Sequence, residues 1–193
     1  MVIGEKFAWA HLQKTGGSAT FAMFRLFPEL IEFADDREDP AKHSSFGARE
    51  DKVDGKVRMC NVRRLPGYLL SWAVWRARPG NQVGRTAMES PHEISEYPRA
   101  DRMLAKITDD GRFPVERWLR MENLGEDFLD FASDLVEIGD ERTKQVLETR
   151  AINALDYDHE VRHWFSDAQI KRMYEVNPIW REIEEKAYGD LFA

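Results

Sequence analysis

Cysteine is nearly absent from this chain. Cys60 is the only one among 193 residues, so no internal disulfide can form, and its place in an apolar run gives it the role of a packed thiol. Long apolar runs are missing too. Nothing approaches the roughly 20 residues of a membrane helix, and Met1–Gly4 carries no charged and apolar leader, so a cytoplasmic protein without a membrane span is expected. Positive charge is in deficit, with 28 Lys and Arg against 35 Asp and Glu and a net charge of −7. That balance argues against a general polyanion binder, and no nucleic-acid partner is expected, because such binding needs a basic face that releases counterions. Internal repeats, low-complexity tracts and metal-ligand spacings are also lacking. His159 and His163 stand four residues apart but lack the glutamate of H-E-x-x-H, so no metal is expected.

What is present fits one globular domain over residues 1–193, with 42% hydrophobic and 33% charged residues, enough to bury a core. Arg63, Arg64, Arg76, Arg78, Arg85, Arg99 and Arg102 fall in the middle of the chain, so the acidic average leaves room for a local basic cleft. The most informative stretch is residues 7–20. An apolar run from Phe7 leads through His11-Leu12-Gln13-Lys14-Thr15-Gly16-Gly17-Ser18-Ala19-Thr20 into a helical pattern at Phe21, Met23, Phe24, Leu26 and Phe27. A strand-turn-helix of this kind gathers backbone N–H groups and the positive end of a helix dipole, which suits a phosphate or sulfate group. Gly16 and Gly17 allow close approach, Lys14 adds a charge, and Thr15, Ser18 and Thr20 bring hydroxyls. The Walker A order G-x-x-x-x-G-K-[ST] is not met, since position 8 is Ala8 and the glycines follow the lysine.

Further along, the pattern predicts a helix over 18–30 and a short strand over 31–34. A polar loop from 35 to 56 follows, carrying His43-Ser44-Ser45-Phe46-Gly47. A buried strand over 57–62 runs into Arg63 and a helix that reaches about Arg76. Residues 81–111 are broken and polar, with a helix over 99–107, and are assigned to the acceptor side of a cleft. A strand over 115–121 and a helix with Phe128, Phe131 and Leu135 on one face come next, and 139–158 is irregular. A last helix starts at Ser166-Asp167 and is interrupted at Asn177-Pro178, after which the apolar stripe resumes. Strands alternating with helices imply an α/β fold, a parallel sheet covered on both faces with its ligand at the carboxyl ends of the strands.

His11–Ser18 resembles the 5′-phosphosulfate loop of sulfotransferases that use 3′-phosphoadenosine 5′-phosphosulfate (PAPS), especially the carbohydrate type, whose loop commonly reads H-x-P-K-T-G-G-T-S. Gln13 replaces the proline and Ala19 a hydroxyl residue. Arg63 to Trp72 is similar to the family's 3′-phosphate segment, V-R-[DN]-P-x-x-R-x-x-S-x-[YW]. Arg64 stands at the acidic or amide position, the proline comes one place late at Pro66, and Tyr68 replaces the second arginine. Arg120–Phe128 resembles the R-x-E-N-L-x-x-D-F segment of the same family, read here as core strand and helix, with Glu122 ordering the site.

The resemblance implies a P-loop-like three-layer architecture and transfer of a sulfuryl group from PAPS to an acceptor hydroxyl on a carbohydrate or small metabolite, releasing 3′-phosphoadenosine 5′-phosphate (PAP). Lys14, Thr15, Gly16, Gly17, Ser18 and Ala19 would hold the 5′ end, and Arg63 and Ser71 the 3′-phosphate. Lys14 would neutralise the leaving oxygen, and His43 would act as general base, with His92 as an alternative. Two rival readings stay open: a P-loop kinase using ATP, and a nucleotide-binding relative without catalytic activity.

Overall fold

The computed structural model describes residues 1–36, 43–77, 91–150 and 156–192, with the side chains of 91 and 92 excluded. Its strands and α-helices in chain order are β1 (Val2–Ile3), β2 (Phe7–Ala10), α1 (Gly17–Phe24), β3 (Phe33–Ala34), α2 (Glu50–Val53), β4 (Val57–Val62), α3 (Leu65–Ala77), α4 (Pro91–Ser95), α5 (Arg99–Thr108), β5 (Arg117–Arg120), α6 (Leu124–Ser133), α7 (Asp140–Leu147), α8 (Asp167–Val176) and α9 (Pro178–Tyr188). They fall into two compact units, residues 1–62 with 105–153, and residues 63–104 with 154–193. The predicted features at Arg78 and Arg85, much of the 81–111 stretch, the His92 side chain and part of 139–158 lie outside the described residues. Among the described residues, no helix is long and apolar enough to cross a membrane.

The first unit is α/β, built on a five-stranded sheet in the order β3-β1-β2-β4-β5. The all-parallel sheet expected from the sequence is corrected to a mixed one. β2, β4 and β5 are parallel, whereas β1 pairs antiparallel with both β2 and β3. The reason is connection length: residues 4–6 join β1 to β2, too few for the crossover a parallel pair requires. Because β2, β4 and β5 run the same way, their carboxyl ends share one edge, where the 11–16 loop emerges.

One face of the sheet carries an aromatic core. Phe7 and Trp9 alternate onto it from β2 and meet Phe24 of α1 and Phe128 and Phe131 of α6. Phe7 stacks on Phe24 at 5.4 Å between centroids, and Phe128 meets Phe24 edge-on at 5.0 Å. The other face is also closed, since Ala8, Ala10, Cys60 and Val62 are fully buried. Burial pushes the Cys60 thiol well above its usual range, which suits a packed, unreactive side chain. α1 is shorter than the sequence pattern suggests. It ends at Phe24, and Pro28 opens a separate 3-10 turn over Pro28–Leu30, because proline cannot donate within a helix. In the expected motif at Arg120–Phe128, Asp127 accepts from the Arg120 backbone N–H at 2.7 Å and from its guanidinium at 2.6 Å, fixing the strand-to-helix turn.

The second unit is helical. Asn177, fully buried, caps α5 by accepting from Ala100 N–H at 3.0 Å, and Asp101 returns the cap by accepting from Trp180 N–H of α9 at 2.7 Å. Ser166 opens α8 with a capping box shared with Gln169. Glu184 of α9 is fully buried and accepts from Leu65 N–H at 2.8 Å, the Tyr174 hydroxyl at 2.8 Å and Arg64 at 3.3 Å. Burial pushes its carboxyl above the usual range, opposed by those three donors. Glu184→Ala removes the acceptor of the Leu65 N–H and the Tyr174 hydroxyl, while Arg64 keeps Asp190, and urea unfolding should show a loss of about 3 kcal/mol. A loss below about 1 kcal/mol would mean that the cluster does not anchor α3 to α9.

Candidate functional site

The loop between β2 and α1 takes its shape from alternating backbone handedness. Lys14 has φ 67° and Gly16 φ 86°, while Thr15 between them and Gly17 after them keep negative φ. Alternation of this sign turns successive N–H groups toward one concave side, a geometry that collects anions. Ala19 and Thr20 N–H both return to the Gly16 carbonyl, at 2.9 and 3.1 Å. The N–H groups of Gly16, Gly17 and Ser18 meet no acceptor among the described residues. These donors therefore converge at the positive end of α1. Gly16 supplies the left-handed turn without strain, but Lys14 holds it as a lysine, and a non-glycine residue in that region marks a place where the side chain matters.

The loop is fastened from beneath by Asn61 of β4, which is buried. Its Nδ2 donates to the Thr15 carbonyl at 2.9 Å and the Thr20 hydroxyl at 2.6 Å, and its Oδ1 accepts from Trp9 Nε1 at 2.7 Å. The Thr15 hydroxyl donates to the Leu12 carbonyl at 2.8 Å and is fully buried. The Thr20 hydroxyl donates to the Gly16 carbonyl at 3.4 Å. Both hydroxyls are thus committed inward, unlike the ligand-facing role read from the sequence. Thr15 offers a ligand its backbone, while Ser18 is half-exposed.

His11 and His43 stand together at this loop, their rings 4.4 Å apart, with Trp9 on the other side of His11 at 5.6 Å. A Cβ built on Gly17 would lie 2.0 Å from His11 Cδ2, so the imidazole occupies the space that only glycine leaves open. His43 Nδ1 is 3.1 Å from the His11 carbonyl. A carbonyl only accepts, so in the neutral ring this contact places the proton on Nδ1. His43 therefore lies beside the loop. No local pattern pointed to the part played by Asn61, and His11 stood out only as a letter of a motif.

The other predicted contacts belong to the second unit. Arg63 precedes α3, and its Nε lies 3.3 Å from where a Gly67 Cβ would be. Ser71, 7% exposed, is one helical turn beyond Gly67, so the guanidinium and the serine share one face of α3. Among the described residues no carboxylate pairs with Arg63. Arg64, by contrast, is engaged with Glu184 and Asp190. Tyr68, at the position of the second arginine, stacks on Trp180 at 4.4 Å. Glu122 is exposed on the 3-10 turn Met121–Asn123.

Comparison of the chain with models of protein families, with curated proteins and with solved structures finds no match.

Asn61→Ala removes three hydrogen bonds at once and should cost about 2–3 kcal/mol in chemical denaturation. Gly17→Ala should displace the His11 ring, read as altered imidazole resonances for His11 and His43 together with a loss of about 1–3 kcal/mol. Unchanged resonances in a folded Gly17→Ala protein would contradict the contact.

Proposed function

We propose that the chain is a PAPS-dependent sulfotransferase that transfers a sulfuryl group to an acceptor hydroxyl on a carbohydrate or small metabolite. The observation that carries this reading is the 14–17 loop, whose alternating handedness gathers unpartnered N–H groups around a lysine at a helix start. The order of its residues, with the glycines after the lysine, is that of the phosphosulfate loop rather than of Walker A.

Sulfuryl transfer needs the donor held, the acceptor oxygen aligned with the bond that breaks, and the charge on the departing phosphate oxygen neutralised. The N–H groups of Gly16, Gly17 and Ser18 hold the 5′-phosphate, whereas the Ala19 N–H expected to join them is taken by the Gly16 carbonyl; Lys14 meets the charge that develops on the bridging oxygen as the S–O bond breaks. His43 Nε2 takes the proton from the acceptor hydroxyl as its oxygen bonds to sulfur. Arg63 and Ser71 bind the 3′-phosphate that distinguishes PAPS from ATP, a task for which a guanidinium without a carboxylate partner is suited. The inward turn of the Thr15 hydroxyl weighs against a kinase, because P-loop enzymes use the hydroxyl after the lysine on Mg²⁺.

Lys14→Ala should lower labelled-sulfate transfer from PAPS by about 10²–10³-fold while leaving the melting transition in place. Equal turnover by the variant would remove Lys14 from the reaction. Arg63→Ala should weaken PAP binding by about 1.5–3 kcal/mol in calorimetry, with ATP binding little changed. Tighter binding of ATP than of PAP by the wild type would favour the kinase, and PAP binding without transfer to any hydroxyl acceptor would favour a binding protein.

A further inference from the structure

The second unit holds a cleft of about 190 Å³ between one side of α3, carrying Leu69, Trp72, Ala73 and Arg76, and the α4–α5 corner, carrying Tyr97 and Arg99. At 100° per residue, these α3 positions lie nearly opposite Gly67 and Ser71, so the cleft is separate from the face shared with Arg63. The volume corresponds to about six water molecules, enough for one small molecule.

The polar atoms around it are out of balance. The Arg99 Nε–H on the lining is buried and meets no acceptor, and the buried Trp72 indole N–H has only the neighbouring Tyr68 hydroxyl near it. Neither Arg99 nor Trp72 can accept a hydrogen bond. The Arg99 guanidinium lies over the Trp72 ring at 3.9 Å and has no ion-pair partner among the described residues. Burial holds Arg99 below its usual range, and the like charge of Arg76 adds to that shift. Glu93 is the one carboxylate on the lining, and it makes no ion pair with Arg99. A half-buried guanidinium whose Nε–H meets no acceptor has an unmet need for oxygen atoms carrying negative charge. The remaining wall is apolar, with Leu69, Ala73 and the Tyr97 ring.

We propose that this cleft binds a small organic oxyanion, its carboxylate, sulfate or phosphate head against Arg99 and the Trp72 N–H and its apolar body against Leu69, Ala73 and Tyr97. The site does not depend on the sulfuryl-transfer reading, since none of Lys14, His43, Arg63 and Ser71 lines it.

Calorimetry on the full chain with benzoate, phenyl sulfate, phenyl phosphate and the neutral benzyl alcohol tests it. At least one oxyanion should bind, and benzyl alcohol should bind at least about tenfold more weakly, the loss expected for one charged hydrogen bond. The head group that binds best identifies the class of ligand. Arg99→Gln should weaken that binding by at least about tenfold, and Arg99→Lys should restore only part of it, since the ammonium lacks the planar fork. Ala73→Phe, which fills the cleft and keeps the charges, should abolish it with the circular dichroism unchanged, and this variant decides the matter if Arg99→Gln does not fold. Benzyl alcohol binding as well as the oxyanions, no saturation by any probe below about 10 mM, or full affinity in Ala73→Phe would each overturn the proposal.

Discussion

One buried carboxamide sets the geometry on which the first unit's chemistry rests. Asn61 uses both amide hydrogens and its oxygen on three groups, the Thr15 carbonyl, the Thr20 hydroxyl and Trp9 Nε1. It thereby joins the strand that carries the loop, the loop and the helix that follows. A loop whose backbone alternates in handedness would otherwise relax, because left-handed Lys14 is unfavourable by about 1–2 kcal/mol. From above, Met121 and Leu124 pack within 3.3 Å of the Gly16 Cβ position and close off the same loop. The loop is thus held by hydrogen bonds on one side and by apolar contact on the other. Its N–H groups are fixed in place before any ligand arrives, which lowers the entropic cost of binding.

The acidic composition and the cationic sites are reconciled by how the arginines are used. Arg117 is paired with Asp130 and Asp134, Arg120 with Asp127, Arg64 with Glu184 and Asp190, and Arg172 with Glu96 and Glu175. These pairs contribute mostly to local geometry, since exposed ion pairs are worth little in water. Arg63 and Arg99 are different: among the described residues neither has a carboxylate partner. A chain with a surplus of acids has many ways to neutralise an arginine, so a partly buried one without a carboxylate, as at Arg63 and Arg99, is informative in a way that the exposed Arg25 and Arg102 are not.

Local signals in the sequence reached some of this structure. The strand Val57–Val62 was legible to the residue because a short apolar run is bounded by Gly55-Lys56 and by two arginines. The break at Asn177-Pro178 and the start at Ser166 were legible from proline and capping chemistry. β1 was not, because two residues carry no periodicity, and with it went the mixed character of the sheet. α7 was missed because its only buried residue is Val146, too little to draw an apolar stripe. Within the site, Lys14, Gly16 and Gly17 could be read from the turn chemistry and His43 from the resemblance. Asn61 could not, since a polar residue inside a strand becomes meaningful only when the partners it meets 41, 46 and 52 positions away are known. The same holds for Arg99, whose isolation is a property of its surroundings rather than of its neighbours in sequence.

The two histidines show how the loop couples shape to reactivity. His11 cannot be the freer of the pair: its ring is wedged between Trp9 and the bare backbone of Gly17, and its carbonyl is engaged by His43. That engagement orients the second imidazole and selects its tautomer, which is what a carboxylate does for histidine in a hydrolase triad, here with a neutral acceptor. Gly17 thus serves twice, leaving room for His11 and opening α1. A side chain at that position would disturb both by the same displacement.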